Sequence, residues 1–289
     1  MTKFNILLPL YNDWRSVNLL IKKINKEFFR YKRFANILIL DDSSTQKAFL
    51  NVNNLKNISS IKILTVNKNL GSQKIISVGL DFIKKKKNEM IIVMDSDGED
   101  DVLQINKLIN KAIKNSNFLI VASRVRRREM FIFQLLYKAH LMLTYCFTFN
   151  WVSFGNYSCF HSKNIKKILK NKDSWLAYSS CVLKNCKVIK IDTERQKRFF
   201  GKSKLSFFSL FEHSFRVLSV YQTKILLTSS LYIFFLFVIT KLEIINFYNF
   251  IIIFLILLLN SVIFLTRRNI LNNFMLQKSE FIKKIKRIK

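Results

Sequence analysis

Five carboxylates fall within seven positions in the segment Ile91-Ile92-Val93-Met94-Asp95-Ser96-Asp97-Gly98-Glu99-Asp100-Asp101, directly after an apolar run. The chain is otherwise poor in acid: 18 Asp+Glu stand against 49 Lys+Arg, a formal net charge of +31. Carboxylates so crowded repel one another unless a cation sits among them, and hard oxygen donors suit Mg2+ or Mn2+. A cation held there could bridge a diphosphate and stabilise the charge on a departing nucleotide. The same residues are open to a plainer use, a solvated acidic turn at the N-terminus of the next helix. A second acidic pair after an apolar run, Asp41-Asp42, favours the metal reading. Other chemistries find little support. Cys146, Cys159, Cys181 and Cys186 form no C-x-x-C pair and have no His at zinc-like spacing, so reduced thiols are expected. His140, His161 and His213 stand singly, and neither a nucleophilic triad nor a Gly-rich phosphate loop is visible.

The elements that must position these groups are legible in the first 123 residues. Phe4–Leu8, Ile37–Leu40, Ile61–Val66, Met90–Met94 and Phe118–Ala122 read as buried parallel strands. Between them Ser16–Phe29, Gly71–Ile83 and Val102–Ile113 carry helical periodicity. Strand–helix alternation of this kind predicts a doubly wound α/β sheet, in which ligands bind beyond the carboxyl ends of the strands. Asn12 and Asp13, Asp41 and Asp42, Asn67 and Asn69, and Asp95 and Asp97 all stand at such ends. Residues 124–204 are mixed in pattern.

The order of short motifs along this frame is specific. Leu8-Pro9-Leu10-Tyr11-Asn12-Asp13 is followed by Ile39-Leu40-Asp41-Asp42-Ser43-Ser44-Thr45, then Asn69-Leu70-Gly71-Ser72, then Asp95-Ser96-Asp97. Ser123-Arg124-Val125-Arg126 and the run from Arg195 through Gly201-Lys202-Ser203-Lys204-Leu205-Ser206 come later. Together they resemble the GT-A domain of family-2 glycosyltransferases, most closely the branch of dolichyl- and polyprenyl-phosphate sugar synthases. The resemblance implies a GT-A (nucleotide-diphospho-sugar transferase) α/β domain over residues 1–205. It implies inverting transfer from a nucleotide-sugar donor to a polyprenyl phosphate, with Mg2+ or Mn2+ as cofactor. Position by position, Pro9, Tyr11, Asn12 and Asp42 would line the base and ribose pocket, with Asn69 and Gly71 completing the nucleotide site. Asp95 and Asp97 would hold the metal and the sugar diphosphate, joined by Glu99 where relatives often have Gln. Asp97 and Arg124 would be the catalytic pair, and Arg126, Arg198, Lys202 and Lys204 would meet the acceptor phosphate. Two departures stand out. Asp101 occupies a place where relatives usually have Pro, and Ser158 replaces the Arg of a G-[DN]-[FY]-R-L segment at Gly155-Asn156-Tyr157-Ser158-Cys159. The second leaves a lipid-linked saccharide open as the acceptor. Its hydroxyl would need a carboxylate base, and Asp173 and Asp192 have no motif support for that role.

Beyond residue 205 the character of the chain changes. Leu205–Tyr221 sets Phe207, Phe208, Phe211, Phe215 and Leu218 at helical spacing, so an amphipathic interfacial helix is expected over 206–223. Ile225–Thr240 is 16 residues without charge and Ile244–Thr266 another 23, predicting two transmembrane helices within 224–266. Arg267–Lys289 follows as a basic tail. Basic flanks and a nearly neutral connector, Lys241-Leu242-Glu243, place both flanks in the cytoplasm, with the spans in the cytoplasmic (inner) membrane. A copy of the chain could associate with another through these spans. The apolar run Ile6–Leu10 is too short for a signal peptide.

Composition narrows the function classes. A mean hydropathy of +0.14 beside a pI of about 10.1 disfavours a soluble nucleic-acid-binding domain and a disordered basic protein. The densest aromatics lie in the apolar segments, which a bilayer explains more simply than nucleic acid does. A membrane scaffold without catalysis would not account for acids collected at successive strand ends. The abundance of Lys, Asn, Ile and Phe, with five Gly and one Pro, is a bias that accounts for part of the charge.

Overall fold

The computed structural model describes residues 2–124, 131–201, 207–240, 247–275 and 281–289. They fall into two compact units, one of residues 1–128, 153–204 and 277–289, the other of residues 129–152 and 205–276.

The first unit is built on an eight-stranded sheet. In chain order its elements are β1 (Lys3–Leu10), α1 (Trp14–Arg30), β2 (Ala35–Asp41), β3 (Ile58–Val66), α2 (Ser72–Ile83), β4 (Glu89–Val93), α3 (Ile105–Lys114) and β5 (Phe118–Arg124). After the excursion into the second unit come β6 (Phe154–His161), the short helices α5 (Ile165–Ile168) and α6 (Asp173–Leu176), α7 (Tyr178–Asn185), β7 (Lys187–Thr193) and, last, β8 (Ile282–Arg287). The strand order is β7-β5-β6-β4-β1-β2-β3-β8. β4, β1, β2 and β3 are mutually parallel, so their carboxyl ends lie along one edge. β1 is buried from Phe4 to Leu10, as a strand covered on both faces must be. On α1, Trp14, Val17, Leu20, Ile21, Ile24 and Phe28 form the apolar stripe that packs into the core.

The five strands and three helices expected from periodicity are present, and the sheet is more mixed than expected. β6 runs antiparallel between β4 and β5 and separates them in the sheet. The stretch read as a basic tail is also more structured. Its first residues continue a helix to Met275, and Ile282–Arg287 forms an edge strand antiparallel to β3. The segment is stitched down by Asn67 N donating to Phe281 O at 2.9 Å and Ile288 N to Ile61 O at 2.9 Å. Phe281 is buried against Trp175, ring centroids 5.1 Å apart.

The second unit contains α4 (Phe131–Thr148), α8 (Phe207–Ser219), α9 (Gln222–Thr240) and α10 (Phe247–Met275). α9 and α10 are long and apolar enough to cross a membrane, and only 17% and 6% of their apolar windows are buried. Leu226, Phe234, Phe235, Phe250 and Phe254 are among the large apolar side chains left exposed, which a buried soluble hairpin would cover. α8 exposes Phe208 and Phe211 and buries Val217 and Leu218, so the apolar stripe expected on one face is divided between exposed and buried positions. Polar bonds tie the helices to one another. Thr228 Oγ1 donates to Phe147 O at 2.8 Å, and Asn260 Nδ2 to Ser229 Oγ at 2.8 Å.

Candidate functional site

The parallel strands deliver their polar ends to one place. After β1, Asn12 adopts a left-handed conformation (φ 52°). Its carboxamide oxygen accepts from Thr45 N and Gln46 N at 2.9 and 3.0 Å, and its amide donates to Thr45 Oγ1 at 3.0 Å. Asn12 thereby sets the loop that follows β2. At the end of β2, Asp41 accepts from Ser44 N at 3.0 Å, while Asp42 accepts from Leu70 N and Gly71 N, both at 2.7 Å. Burial pushes the Asp42 carboxyl up, and those two backbone donors pull against it. Gly71, at φ +85°, allows the turn into α2 that an L side chain would resist. Asn69 accepts from the same Gly71 N–H. Of three residues expected at the nucleotide, Asp42 after β2 thus orders the loop after β3 that carries Asn69 and Gly71. Pro9 is buried inside β1, and Tyr11 is exposed beside it.

The acidic segment after β4 divides by role. Asp100 is buried and caps the segment's own turn, accepting from Asp95 N at 2.9 Å. Asp101 caps the following turn, accepting from Leu103 N at 3.0 Å. For these two the plain structural use holds. Glu99 is drawn to Arg195, whose Nε donates to Glu99 Oε2 at 3.0 Å and whose Nη2 pairs with the same oxygen. Asp97 Oδ2 lies 3.3 Å from Arg198 Nη1, and Arg198 Nη2 donates to Asp13 Oδ2 at 2.8 Å. Asp95 Oδ1 accepts from Asn156 Nδ2 at 3.0 Å.

Residues 195–200 run alongside this segment. Gln196 N donates to Glu99 O at 2.9 Å and Phe199 N to Asp97 O at 3.0 Å. The Phe199 ring occupies the space of a side chain at Gly98, where a Cβ would meet it at 2.5 Å, and Gly98 itself has φ +88°. No residue but glycine suits both demands. Lys23 stacks over Phe199 at 4.3 Å and Arg15 over Phe200 at 4.1 Å.

The residues fit a divalent cation held by two carboxylates. Burial, and then the neighbouring Asp95, push the Asp97 carboxyl up to about 6, while Arg198 pulls the other way. No three acidic, His or Cys side chains converge among the described residues, and Glu99, expected as a third ligand, is turned to Arg195. A two-carboxylate set suits Mg2+ or Mn2+, which keep several waters and take further oxygens from substrate phosphates. Arg198, expected at the acceptor phosphate, stands between Asp13 and Asp97. The Arg124 side chain, Arg126, Lys202 and Lys204 lie outside the described residues. The motifs contain Asp13, Asn156 and Arg195 without giving them a role, and they do not reach Gln73. Spatial contact supplies their partners.

Comparison with known proteins identifies the family and the fold. The model of the family described as "Glycosyl transferase family 2" matches residues 5–174, more than half of the chain. Among curated proteins, "Putative glycosyltransferase CsbB" of Bacillus subtilis (strain 168) is 25% identical over 133 residues. The match spans 46% of this chain and 39% of that relative's length. Solved structures of similar fold include glucosyl-3-phosphoglycerate synthase from Mycobacterium tuberculosis in complex with Mn2+, uridine-diphosphate-glucose and phosphoglyceric acid. It superposes with a TM-score of 0.53 at 9% identity, over 78% of this chain and 80% of that one. The same enzyme with Mn2+ and uridine-diphosphate-glucose gives 0.51 at 11% identity, over 77% and 79%. At such identities the likeness is one of fold, and the fold is GT-A. The family match begins in β1, takes in both acidic strand ends and stops inside α6, and the chain accordingly belongs to glycosyl transferase family 2.

Proposed function

We propose that the protein is a membrane-anchored, inverting glycosyltransferase that moves a sugar from a nucleotide-diphosphate donor to a polyprenyl phosphate. One observation carries the reading: a family-2 domain with Asp95 and Asp97 beyond β4 shares its chain with two long helices whose apolar side chains are exposed. A soluble acceptor would not call for such helices.

Asp95 and Asp97 would hold a divalent cation, which when bound neutralises the donor diphosphate and the leaving nucleoside diphosphate. The structural neighbours that hold Mn2+ with uridine-diphosphate-glucose support this. The Asp42-ordered loop, with Asn69 and Gly71, would border the nucleotide beside Tyr11 and Asn12. In the reaction an acceptor phosphate oxygen attacks the anomeric carbon as its bond to the diphosphate breaks, so one displacement inverts the centre. That oxygen is already anionic near neutral pH, so positioning and charge neutralisation supply the catalysis and no strong base is required. Arg124, Arg126, Lys202 and Lys204 are the cations proposed to receive the acceptor phosphate.

The proposed site of action is the cytoplasmic face of the inner membrane. Basic flanks support that orientation. β8 bears on a narrower point: a strand that follows α10 in the chain pairs into the same sheet as β1, which supports both flanks of the hairpin lying on one side, whichever side that is.

A lipid-linked saccharide is the second reading, favoured by Ser158. That residue is fully buried, with its hydroxyl 2.7 Å from Tyr178 OH, so β6 offers no cation where relatives have Arg. Purified protein in detergent, given UDP- and GDP-sugars with Mn2+ and undecaprenyl phosphate, is expected to yield a labelled lipid-phosphate sugar. Product formed only with lipid-linked saccharides would establish the second reading, and no transfer to either acceptor class would overturn both.

A further inference from the structure

We propose that Asn156 is a positioning residue for the donor site, setting the plane of the Asp95 carboxylate, and that Gln73 holds Asn156 in turn. The inference deepens the proposed function and rests on Asp95 being a donor-site carboxylate. A chain of hydrogen bonds leads inward from that carboxylate. Asn156 Nδ2 donates to Asp95 Oδ1 at 3.0 Å, Gln73 Nε2 donates to Asn156 Oδ1 at 3.1 Å, and Tyr178 N donates to Gln73 Oε1 at 2.7 Å. Gln73 and Asn156 are both 8% exposed.

The direction of this chain is determined at both ends. The backbone N–H of Tyr178 can only donate, so Gln73 must turn its oxygen toward α7 and its amide toward Asn156. Asn156 must then present its own oxygen to Gln73 and its amide to Asp95. The ionised carboxylate can only accept, so the polarity closes without conflict. Three elements, α2, β6 and α7, thus converge on one oxygen of Asp95. Buried networks satisfied throughout are rigid, and groups that orient a metal-binding carboxylate are worth roughly 10–100-fold in metal affinity.

The test is Mn2+ binding by the full-length protein in detergent, followed by electron paramagnetic resonance with Mn2+ alone and read beside the melting temperature. Asn156→Ala is expected to weaken binding about tenfold with the melting temperature held within a few degrees. Gln73→Met, which keeps the volume and lies one residue further from the carboxylate, is expected to weaken it about threefold, a part of that range. The double variant should bind no more weakly than Asn156→Ala alone, because Gln73 acts only through Asn156. Wild-type affinity in Asn156→Ala, or effects of the two changes that multiply, would overturn the proposal. Should Asn156→Ala fail to fold, wild-type affinity in Gln73→Met overturns it equally. Asp95→Asn in the same assay separates the two levels. If it loses Mn2+ while Asn156→Ala does not, only the positioning role falls. If it binds like wild type, the donor-site reading falls as well.

Discussion

Asp97 lies 3.3 Å from a guanidinium nitrogen of Arg198, yet its carboxyl is pushed up to about 6, because burial and the neighbouring Asp95 outweigh that counter-charge. Cation binding needs the ionised form. Mn2+ affinity is therefore expected to be level above about pH 7 and to fall up to tenfold per pH unit below about 6, the slope of one proton. A titration followed by electron paramagnetic resonance checks this, and an unchanged affinity at pH 5 would contradict it. Stability should move the opposite way. The unfolded carboxyl titrates near the ordinary aspartate value of 3.8, so between about 4 and 6 the folded state holds the extra proton. This group's contribution to stability thus falls as pH rises through that window, and the cost is fully present above it. Asp97→Asn is expected to abolish transfer while raising the stability of the metal-free protein near pH 7 by about 1–3 kcal/mol. Calorimetry reads the second effect independently of activity.

At the scale of elements, the last strand carries more than its length suggests. β8 is six residues, Ile282–Arg287, all exposed, with Lys283, Lys284, Lys286 and Arg287 among them. It nonetheless covers the edge of β3, and its basic side chains guard the new edge it creates. The segment also holds Asn67 through Phe281 O, and Asn67 begins the loop that leads to Asn69 and Gly71. Deleting residues 281–289 should lower the melting temperature by about 5 °C or more, expose β3 to aggregation and raise the donor KM more than it lowers kcat. A truncated protein with the wild-type melting curve and donor KM would show the strand to be dispensable.

For the whole molecule, the discontinuous first unit constrains topology. Its sheet is assembled from strands on both sides of the hydrophobic hairpin, so the protein proposed to lie at the inner membrane must keep its C-terminus on the side of its N-terminal domain. A C-terminal epitope is expected to survive protease in intact spheroplasts and to be digested in inverted vesicles. Digestion in intact spheroplasts would place the tail outside and would be incompatible with β8 pairing to β3.

The sequence by itself determined the frame: buried strands show as apolar runs, amphipathic helices as 3.6-residue stripes, and the two long apolar helices as long stretches without charge. It also determined that Asn12, Asp42 and Asp95 gather at one edge, because in a parallel sheet polar residues that end apolar runs fall together. Only the tertiary structure decided what each acid does there. Asp95, Asp97, Glu99, Asp100 and Asp101 are alike in type and adjacent in sequence. They separate into two caps of local turns, one partner of Arg195, one carboxylate beside Arg198 and one held by Asn156, the last three through contacts made across space. Glu99 and Arg195 are 96 residues apart, Asp13 and Arg198 185 apart, and Asp95 and Asn156 61 apart, separations at which local pattern carries no information. β6 and β8 escaped for a related reason. One strand is inserted antiparallel between two parallel ones, and the other lies exposed at an edge. Neither placement follows from a strand's own alternation, because pairing partners are chosen by the folded sheet.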